Sequence, residues 1–298
     1  MKMNYKIHQR VESIFTKVTG LVPKSILQMI EQYGDGVDEI RYYDVFDVET
    51  ENGHRILKKV SDRELFVYKT YLSEHDLPVP YYCGNYSEDG ENWIVIEHID
   101  GTDLRDMTDE LAIASAECIA KVQNKYWDGT SNAESIKDDR FEIYRKRILK
   151  RAASIESDTK LYQAYQFFLD RQTSCPLTLS NGDFLQFNVI NTAGKVTIID
   201  WGFSGRMPYS LDIARFIAHA TEDRATFPFY MNSHQKELFV KHVYKNLDNK
   251  PSYEQYVMDI KLAVLNEYIE FIEADEDDDK WYYNHAQELA ANLLSHNS

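Results

Sequence analysis

The stretch LTLSNGDFLQFNVINTAGKVTIIDWG, residues 177–202, decides how the rest of the chain is read. It is a compact β-like island among helical segments, and polar residues concentrate in it. Asp183 sits in a turn after an apolar strand. Asn188 follows five residues later, just before Val189 and Ile190. Asp200 ends the apolar run VTII and is followed by Trp201 and Gly202. Carboxylates and an amide at the ends of buried strands are costly to desolvate, so they need partners. Any one of them alone is explained by turn chemistry, because Asp and Asn bond their own backbone where strands end. The combination D-x4-N, then an apolar strand ending in D-W-G twelve residues on, is far more specific. Carboxylate and amide oxygens suit Mg²⁺, which keeps waters and takes further ligands from phosphates. In that reading Asn188 and Asp200 hold the metal. Asp183 sits beside it, free to accept a proton from a substrate hydroxyl.

Working outward from the island, both flanks are helical. Leu111, Ala114, Cys118 and Val122 share a face by spacing. Phe141, Tyr144, Ile148, Ala152 and Ile155 share another, and Leu161, Tyr165, Phe168 and Leu169 mark a third helix. Downstream, Ser252 and Gln255 form an S-x-x-Q capping box before a long helix through about Ile272. The first hundred residues differ in character. A helix over 5–18 precedes a candidate strand at Ser25–Gln32. EIRYYDVFDVET (39–50) and RILKKV (55–60) are strand-like and flank Asn52-Gly53, a strong hairpin signal. SDRELFVYKTYLSEH (61–75) reads as a helix with Ser61 and Asp62 near its N-cap, and two more strands follow at 80–86 and 92–99. The expected organisation is a β-rich lobe over 1–99, a connector near 97–101, and a helical lobe over 100–298.

Bulk properties narrow the partners. The chain has 298 residues, 43% of them hydrophobic, so wholesale disorder is excluded. Acidic residues number 49 against 33 basic, a net charge of −16. That sign argues against nucleic acid or an anionic membrane as the main partner and is compatible with a cationic ligand. Three scattered cysteines without a CxxC pair give neither a disulfide framework nor a Cys-based zinc site. No signal-peptide pattern and no apolar run of about 20 residues is present, so the expected location is the cytoplasm.

SNGDFLQFNVI with IIDWGFSG resembles the catalytic and metal-binding loops of the aminoglycoside phosphotransferase family, small-molecule relatives of the eukaryotic protein kinases. That family's usual pattern is H-G-D-x4-N, then an apolar strand and I-D-W/F. The resemblance runs from about 30 to 215. It implies a protein-kinase-like two-lobe α+β fold, with a small antiparallel sheet lobe carrying one helix and a larger helical lobe. RILKK resembles the strand whose lysine contacts the α- and β-phosphates, at Lys58. ELFVYKTYL resembles the helix whose glutamate pairs with that lysine, at Glu64. VIEHIDG resembles the connector that binds adenine through its backbone, so Glu97, His98 and Ile99 line the base site. In LDIARFI, Asp212 would brace the catalytic loop.

Three positions depart from the pattern. Asn181 stands where the usual histidine precedes Gly-Asp. Gln123 stands where another histidine is frequent. The phosphate-covering loop is not clearly glycine-rich, its best candidate being YGDGVD with Gly34 and Gly36.

The resemblance implies transfer of the γ-phosphate of ATP or GTP, with Mg²⁺, to a hydroxyl of a small molecule. Between Glu267 and Asp279 there are eight acidic residues and no Lys or Arg, followed by Trp281, Tyr282 and Tyr283. Carboxylates with aromatic rings suit an amine-bearing substrate. Glu267 and Glu270, one helical turn apart, are the expected contacts, whereas the run 275–279 reads as a solvated loop. Aminoglycosides head the list of acceptors. Choline, ethanolamine, a sugar or another hydroxylated metabolite comes next, and the rival class is an inactive kinase-like protein that binds nucleotide or a partner.

Overall fold

A computed structural model of the chain describes residues 5–32, 40–74, 76–222, 229–274 and 280–296. Gly34, Gly36 and the acidic run 275–279 lie outside the described residues. The chain divides into two compact units, residues 1–101 with 201–203, and residues 102–200 with 204–298.

The first unit begins with helix α1 (Tyr5–Thr19), followed by strands β1 (Ser25–Gln32), β2 (Ile40–Thr50) and β3 (Gly53–Val60). Helix α2 (Asp62–Thr70) and strands β4 (Tyr82–Glu88) and β5 (Glu91–Glu97) complete it. The strands form one antiparallel sheet in the order β1-β2-β3-β5-β4. Its inward side chains Phe46, Val48, Leu57, Trp93 and Val95 pack against Val11, Ile14 and Phe15 of α1, burying the apolar stripe that the helical spacing predicts. The Asn52-Gly53 hairpin forms one residue earlier than the dipeptide suggests. Thr50 pairs with Gly53, so Glu51 and Asn52 make the turn. Gly53 opens β3 with φ +94°, where an L side chain would be strained. Ser61 caps α2 by accepting a hydrogen bond from the Glu64 backbone N–H at 3.1 Å. The helix ends at Thr70, five residues short of the span its sequence suggests.

The second unit contains β6 (Thr102–Asp103), α3 (Asp109–Lys125), α4 (Ser131–Glu134), α5 (Arg140–Ser154) and α6 (Thr159–Gln172). The island follows as β7 (Leu177–Ser180), a 3-10 turn at Gln186–Asn188, β8 (Val189–Thr192) and β9 (Lys195–Ile198). After it come β10 (Gly205–Pro208), α7 (Ser210–Ala218), α8 (Ser233–Asn246), α9 (Tyr253–Phe271) and α10 (Trp281–His296). β8 and β9 are an antiparallel hairpin to which β6 adds, and β7 pairs with β10. Helices α5, α6, α7, α9 and α10 share a core that includes Ile148, Leu161, Tyr165, Phe168, Ala214, Leu262, Ile269 and Leu293. The expected faces of α5 and α6 are the buried ones. On α3 the expected face is fully buried only at Val122: Leu111, Ala114 and Cys118 are half-buried, while Ala112, Ser115, Ala116, Ile119, Ala120 and Gln123 go inside with Val122. Among the described residues no helix is long and apolar enough to cross a membrane.

Candidate active site

The loop after β7 is shaped by side chains that bond backbone. Asp212, in the first turn of α7, is buried and accepts from Ser180 Oγ (2.7 Å), the Asn181 N–H (2.8 Å) and the Gly182 N–H (3.0 Å). Burial pushes the Asp212 carboxyl up to about 6, because its partners are neutral donors that offset only part of the desolvation. Asn181 is fully buried as well. Its Nδ2 donates to the carbonyls of Ile199 (3.2 Å) and Asp200 (3.1 Å), and its Oδ1 accepts from the Asp183 N–H at 3.2 Å. The asparagine that departs from the histidine pattern thus ties the Asp183 loop to the Asp200 turn. Gln123, the second departure, donates to the Tyr209 carbonyl at 2.8 Å, and its own carbonyl accepts from Thr178 Oγ1 at 2.8 Å.

Asn188 Nδ2 donates to the Asp183 carbonyl (2.8 Å) and to Asp183 Oδ2 (3.1 Å). This fixes the amide and leaves Asn188 Oδ1 without a donor among the described residues. Asp200 is exposed and held at φ +53°, a left-handed conformation that Asp tolerates better than most residues and that is found at functional turns. The structure brings Asp183, Asn188 and Asp200 together through this bonded framework. No cluster of three or more His, Cys, Asp or Glu among the described residues would hold a metal alone. One amide oxygen and one carboxylate fit a Mg²⁺ ion that completes its shell with water and phosphate.

Asp183 Oδ1 accepts from Arg215 Nη2 (2.8 Å) and Nε (3.2 Å). Arg215 Nη1 donates to Glu267 Oε2 at 2.8 Å. His219 Nε2 lies 3.0 Å from the same oxygen, and His219 Nδ1 lies 2.9 Å from the Tyr282 hydroxyl. His219 Nε2 also lies 3.2 Å from Arg215 Nη1, so the imidazole, the guanidinium and the Glu267 carboxylate meet at one point. Burial alone would raise the Glu267 carboxyl, but Arg215 and His219 outweigh it and bring it down to about 2. Burial likewise opposes the Arg215 charge, and Glu267 and Asp183 reverse that and raise its pKa.

Glu270 pairs with Arg147 (2.9 Å) and Arg151 (2.7 Å). Sequence showed no basic partner downstream of either glutamate; the partners come from α5 and α7, upstream. A groove of about 490 Å³ beside Glu270 is lined by Arg147, Lys150, Arg151, Ile269 and Glu273. Arg215 and His219 do not stand out in the sequence as site residues, and Tyr282 does so only as one of three aromatic rings suited to an amine-bearing substrate. The available signal was Arg215 and His219 at i, i+4 within the apolar run LDIARFIAH.

In the first unit, Lys58 Nζ donates to Glu64 Oε1 at 2.8 Å, with the glutamate side chain 6% exposed. Lys59 points to the other side of β3 and meets Glu91 Oε1 at 2.7 Å. Glu97 ends β5, with its N–H on the Tyr81 carbonyl (2.8 Å) and its Oε2 accepting from the Tyr81 N–H (3.1 Å). His98 and Ile99 follow outside the sheet, and the His98 ring lies 5.5 Å from that of His54.

The sequence profile described as "Phosphotransferase enzyme family" matches residues 42–239, well over half of the chain, and the chain belongs to that family. Among curated protein sequences none matches. Solved structures show the same fold at low identity. An aminoglycoside phosphotransferase from Alicyclobacillus acidocaldarius is 13% identical, with 99% of this chain and 96% of that one covered and a TM-score of 0.58. The amicoumacin kinase hAmiN, solved with AMP-PNP, Ca²⁺ and its ligand, is 14% identical over 99% and 94%, with a TM-score of 0.58. The choline kinase LicA from Streptococcus pneumoniae is 18% identical over 97% and 99%, with a TM-score of 0.54. The fold is therefore the kinase-like α+β one, its antiparallel sheet and many helices matching these neighbours.

Proposed function

We propose that the chain transfers the γ-phosphoryl group of ATP or GTP to a hydroxyl of a small molecule. The acceptor oxygen forms a bond to the γ-phosphorus, and the bond from phosphorus to the β,γ-bridging oxygen breaks. The acceptor's proton goes to Asp183, leaving a phosphomonoester and a nucleoside diphosphate. Asn188 and Asp200 would hold Mg²⁺, which supplies charge neutralisation at the phosphates when bound. Lys58, fixed by Glu64, would hold the α- and β-phosphates. The backbone at Glu97, His98 and Ile99 would receive the base, and Gly34 and Gly36 would belong to the phosphate-covering loop.

One observation carries this reading. Asn188 Nδ2 is bonded twice to Asp183, so one amide presents a metal-binding oxygen while it orients the candidate base. Turn chemistry alone needs no such pairing with an exposed left-handed Asp200 held at the end of the next hairpin.

For the acceptor we propose a hydroxylated cation, such as an aminoglycoside or a choline-like amine. The support is the net charge of −16 and the substrates named for structural neighbours. Glu267 and Glu270 already hold arginines, so a cation would have to compete with them. Glu270, whose side chain is 27% exposed, is better placed than Glu267 to exchange partners. The test is a coupled nucleotide-turnover screen with Mg²⁺ and either ATP or GTP, across aminoglycosides, macrolides, choline, ethanolamine and sugars. Mass spectrometry should find one acceptor heavier by a phosphoryl group. Turnover of neither nucleotide on any acceptor would contradict the proposal.

A further inference from the structure

We propose that Arg215 is a positioning residue for Asp183, and that Glu267 acts through Arg215 on turnover rather than as a contact to the acceptor. The inference rests on Asp183 being the base of the reaction proposed above.

A guanidinium on α7 is surrounded by buried neighbours: Leu211, Asp212, Ile213, Ala214, Phe216 and Ala218 are all inside. A charge there is costly unless it is paired on every side. Arg215 is so paired. Two of its N–H groups converge on one oxygen of Asp183, Oδ1, at 2.8 and 3.2 Å. The other oxygen, Oδ2, is left to Asn188 at 3.1 Å. Donors on both oxygens fix the plane of the carboxylate, since rotation about its terminal bond breaks one set or the other. The Asp183 side chain remains 19% exposed, so the fixed group still faces solvent.

Glu267 has the geometry of a support. It is 6% exposed, and its Oε2 is shared by Arg215 Nη1 and His219 Nε2. His219 is itself held by Tyr282 of α10. The Phe271 ring lies 5.1 Å from Arg215 Cζ and 4.5 Å from the His219 ring. Helix α9, through Glu267 and Phe271, therefore supports the guanidinium that grips Asp183, and α10 supports it one step removed, through His219. A carboxylate meant to receive a soluble cation would be open and free to move, and Glu267 is neither.

The experiment compares Arg215→Lys and Glu267→Gln, each alone and with Asp183→Asn. An Arg215→Met/Glu267→Gln double variant removes both buried charges together, should the single changes fail to fold. Readouts are thermal unfolding, Mg²⁺–ATP and Mg²⁺–GTP affinity by calorimetry, and kcat and KM for an acceptor that scores in the screen. Phosphate release to water serves where the screen gives no acceptor. A lysine keeps the charge but lacks the planar fork that spans two carboxylates. Arg215→Lys should lower kcat by about 10²-fold, the scale set by a misplacement of about 1 Å. Glu267→Gln should lower it by roughly 10-fold on the same argument, since it acts one contact further away. KM for the acceptor and nucleotide affinity should stay near wild type. With Asp183→Asn already present, Arg215→Lys should cost nothing more, because the two act as one unit.

A raised KM with unchanged kcat in Glu267→Gln would make Glu267 an acceptor contact and overturn the proposal. An equal loss from Arg215→Lys with and without Asp183 would do the same. Wild-type protein that turns over neither nucleotide, on any acceptor or on water, would contradict the phosphoryl-transfer reading itself. An active wild type with kcat indifferent to Arg215→Lys would remove only the positioning role.

Discussion

The two units build their candidate site residues in opposite ways. In the first, Lys58 and Glu64 are six positions apart, joined by the end of one strand and the first turn of the next helix. In the second, Asp183 depends on Arg215, 32 positions on, and through it on Glu267, a further 52 positions away. A local pair can be set by one strand and one cap. A distributed one needs α7, α9 and α10 to be packed first. The first design is separable and suits a grip on a ligand; the second couples the carboxylate proposed as the base to the core of its unit. Changes in the first unit should therefore act on affinity, and changes in the second on turnover.

The largest expected effect is on the second side. Asp183→Ala should lower turnover by about 10²–10⁴-fold, the usual cost of losing a general base, with Mg²⁺–nucleotide affinity nearly unchanged in calorimetry. Affinity falling with turnover would blur the contrast between the units. Asn188→Ala and Asp200→Ala should weaken the Mg²⁺-dependent part of nucleotide binding by at least about 10-fold, since even outer-shell partners of a metal commonly cost that much. Asp200 should matter more, because it brings a full charge. Titrations with and without Mg²⁺ that leave both variants like wild type would place the metal elsewhere.

A smaller effect belongs to the first unit. Glu64→Gln removes the buried carboxylate charge opposite the Lys58 ammonium, and that lysine is about a fifth exposed. The loss in stability should fall between the roughly 1 kcal/mol of an exposed pair and the roughly 3 kcal/mol of a buried one, read by urea unfolding. Nucleotide affinity should drop while kcat at saturation holds. A kcat effect as large as that at Arg215 would erase the distinction drawn between the two designs.

The smallest effects are in pH dependence, where two buried carboxylates of the second unit run in opposite directions. Asp212 is raised from 3.8 to about 6, so the folded chain holds this proton longer than the unfolded one. Its stabilising contribution is complete below 3.8 and is lost as pH rises through about 6. Glu267 is lowered from 4.5 to about 2, so its contribution is complete above 4.5 and is lost as pH falls toward 2. Urea midpoints across this range should show an acid arm that Glu267→Gln flattens. An acid arm unchanged by that substitution would separate Glu267 from the Arg215 charge.

What the sequence disclosed follows the same division. The sheet was legible because β-branched runs, a hairpin dipeptide and a Ser61 cap act over a few residues. The Asn52-Gly53 signal placed the hairpin but not its turn, since Thr50 pairs with Gly53 and moves the turn back by one. The grouping of Asp183, Asn188 and Asp200 was visible because a loop and a hairpin hold them within eighteen positions. The buried face of α3 was only partly legible: apolar spacing picked out Val122, which is buried, but also Leu111, which is half-buried, while Ser115 and Gln123 are buried among small residues. The partners of Glu267 and Glu270 were invisible, because Arg215, Arg147 and Arg151 reach them only through tertiary packing of helices far apart in the chain. Asn181 was noted as a departure, yet its three side-chain hydrogen bonds could not be read from one letter.

The central claim is that Asp183 takes the proton of an acceptor hydroxyl while the nucleotide gives up its γ-phosphoryl group. Phosphorus-31 NMR on wild type and Asp183→Asn, with Mg²⁺, ATP or GTP and the acceptor panel, tests it most directly. The account predicts a phosphomonoester resonance growing with the nucleoside diphosphate in wild type, and almost none in the variant at equal nucleotide occupancy. Equal product from both proteins, or no phosphomonoester from wild type with any acceptor, would contradict it.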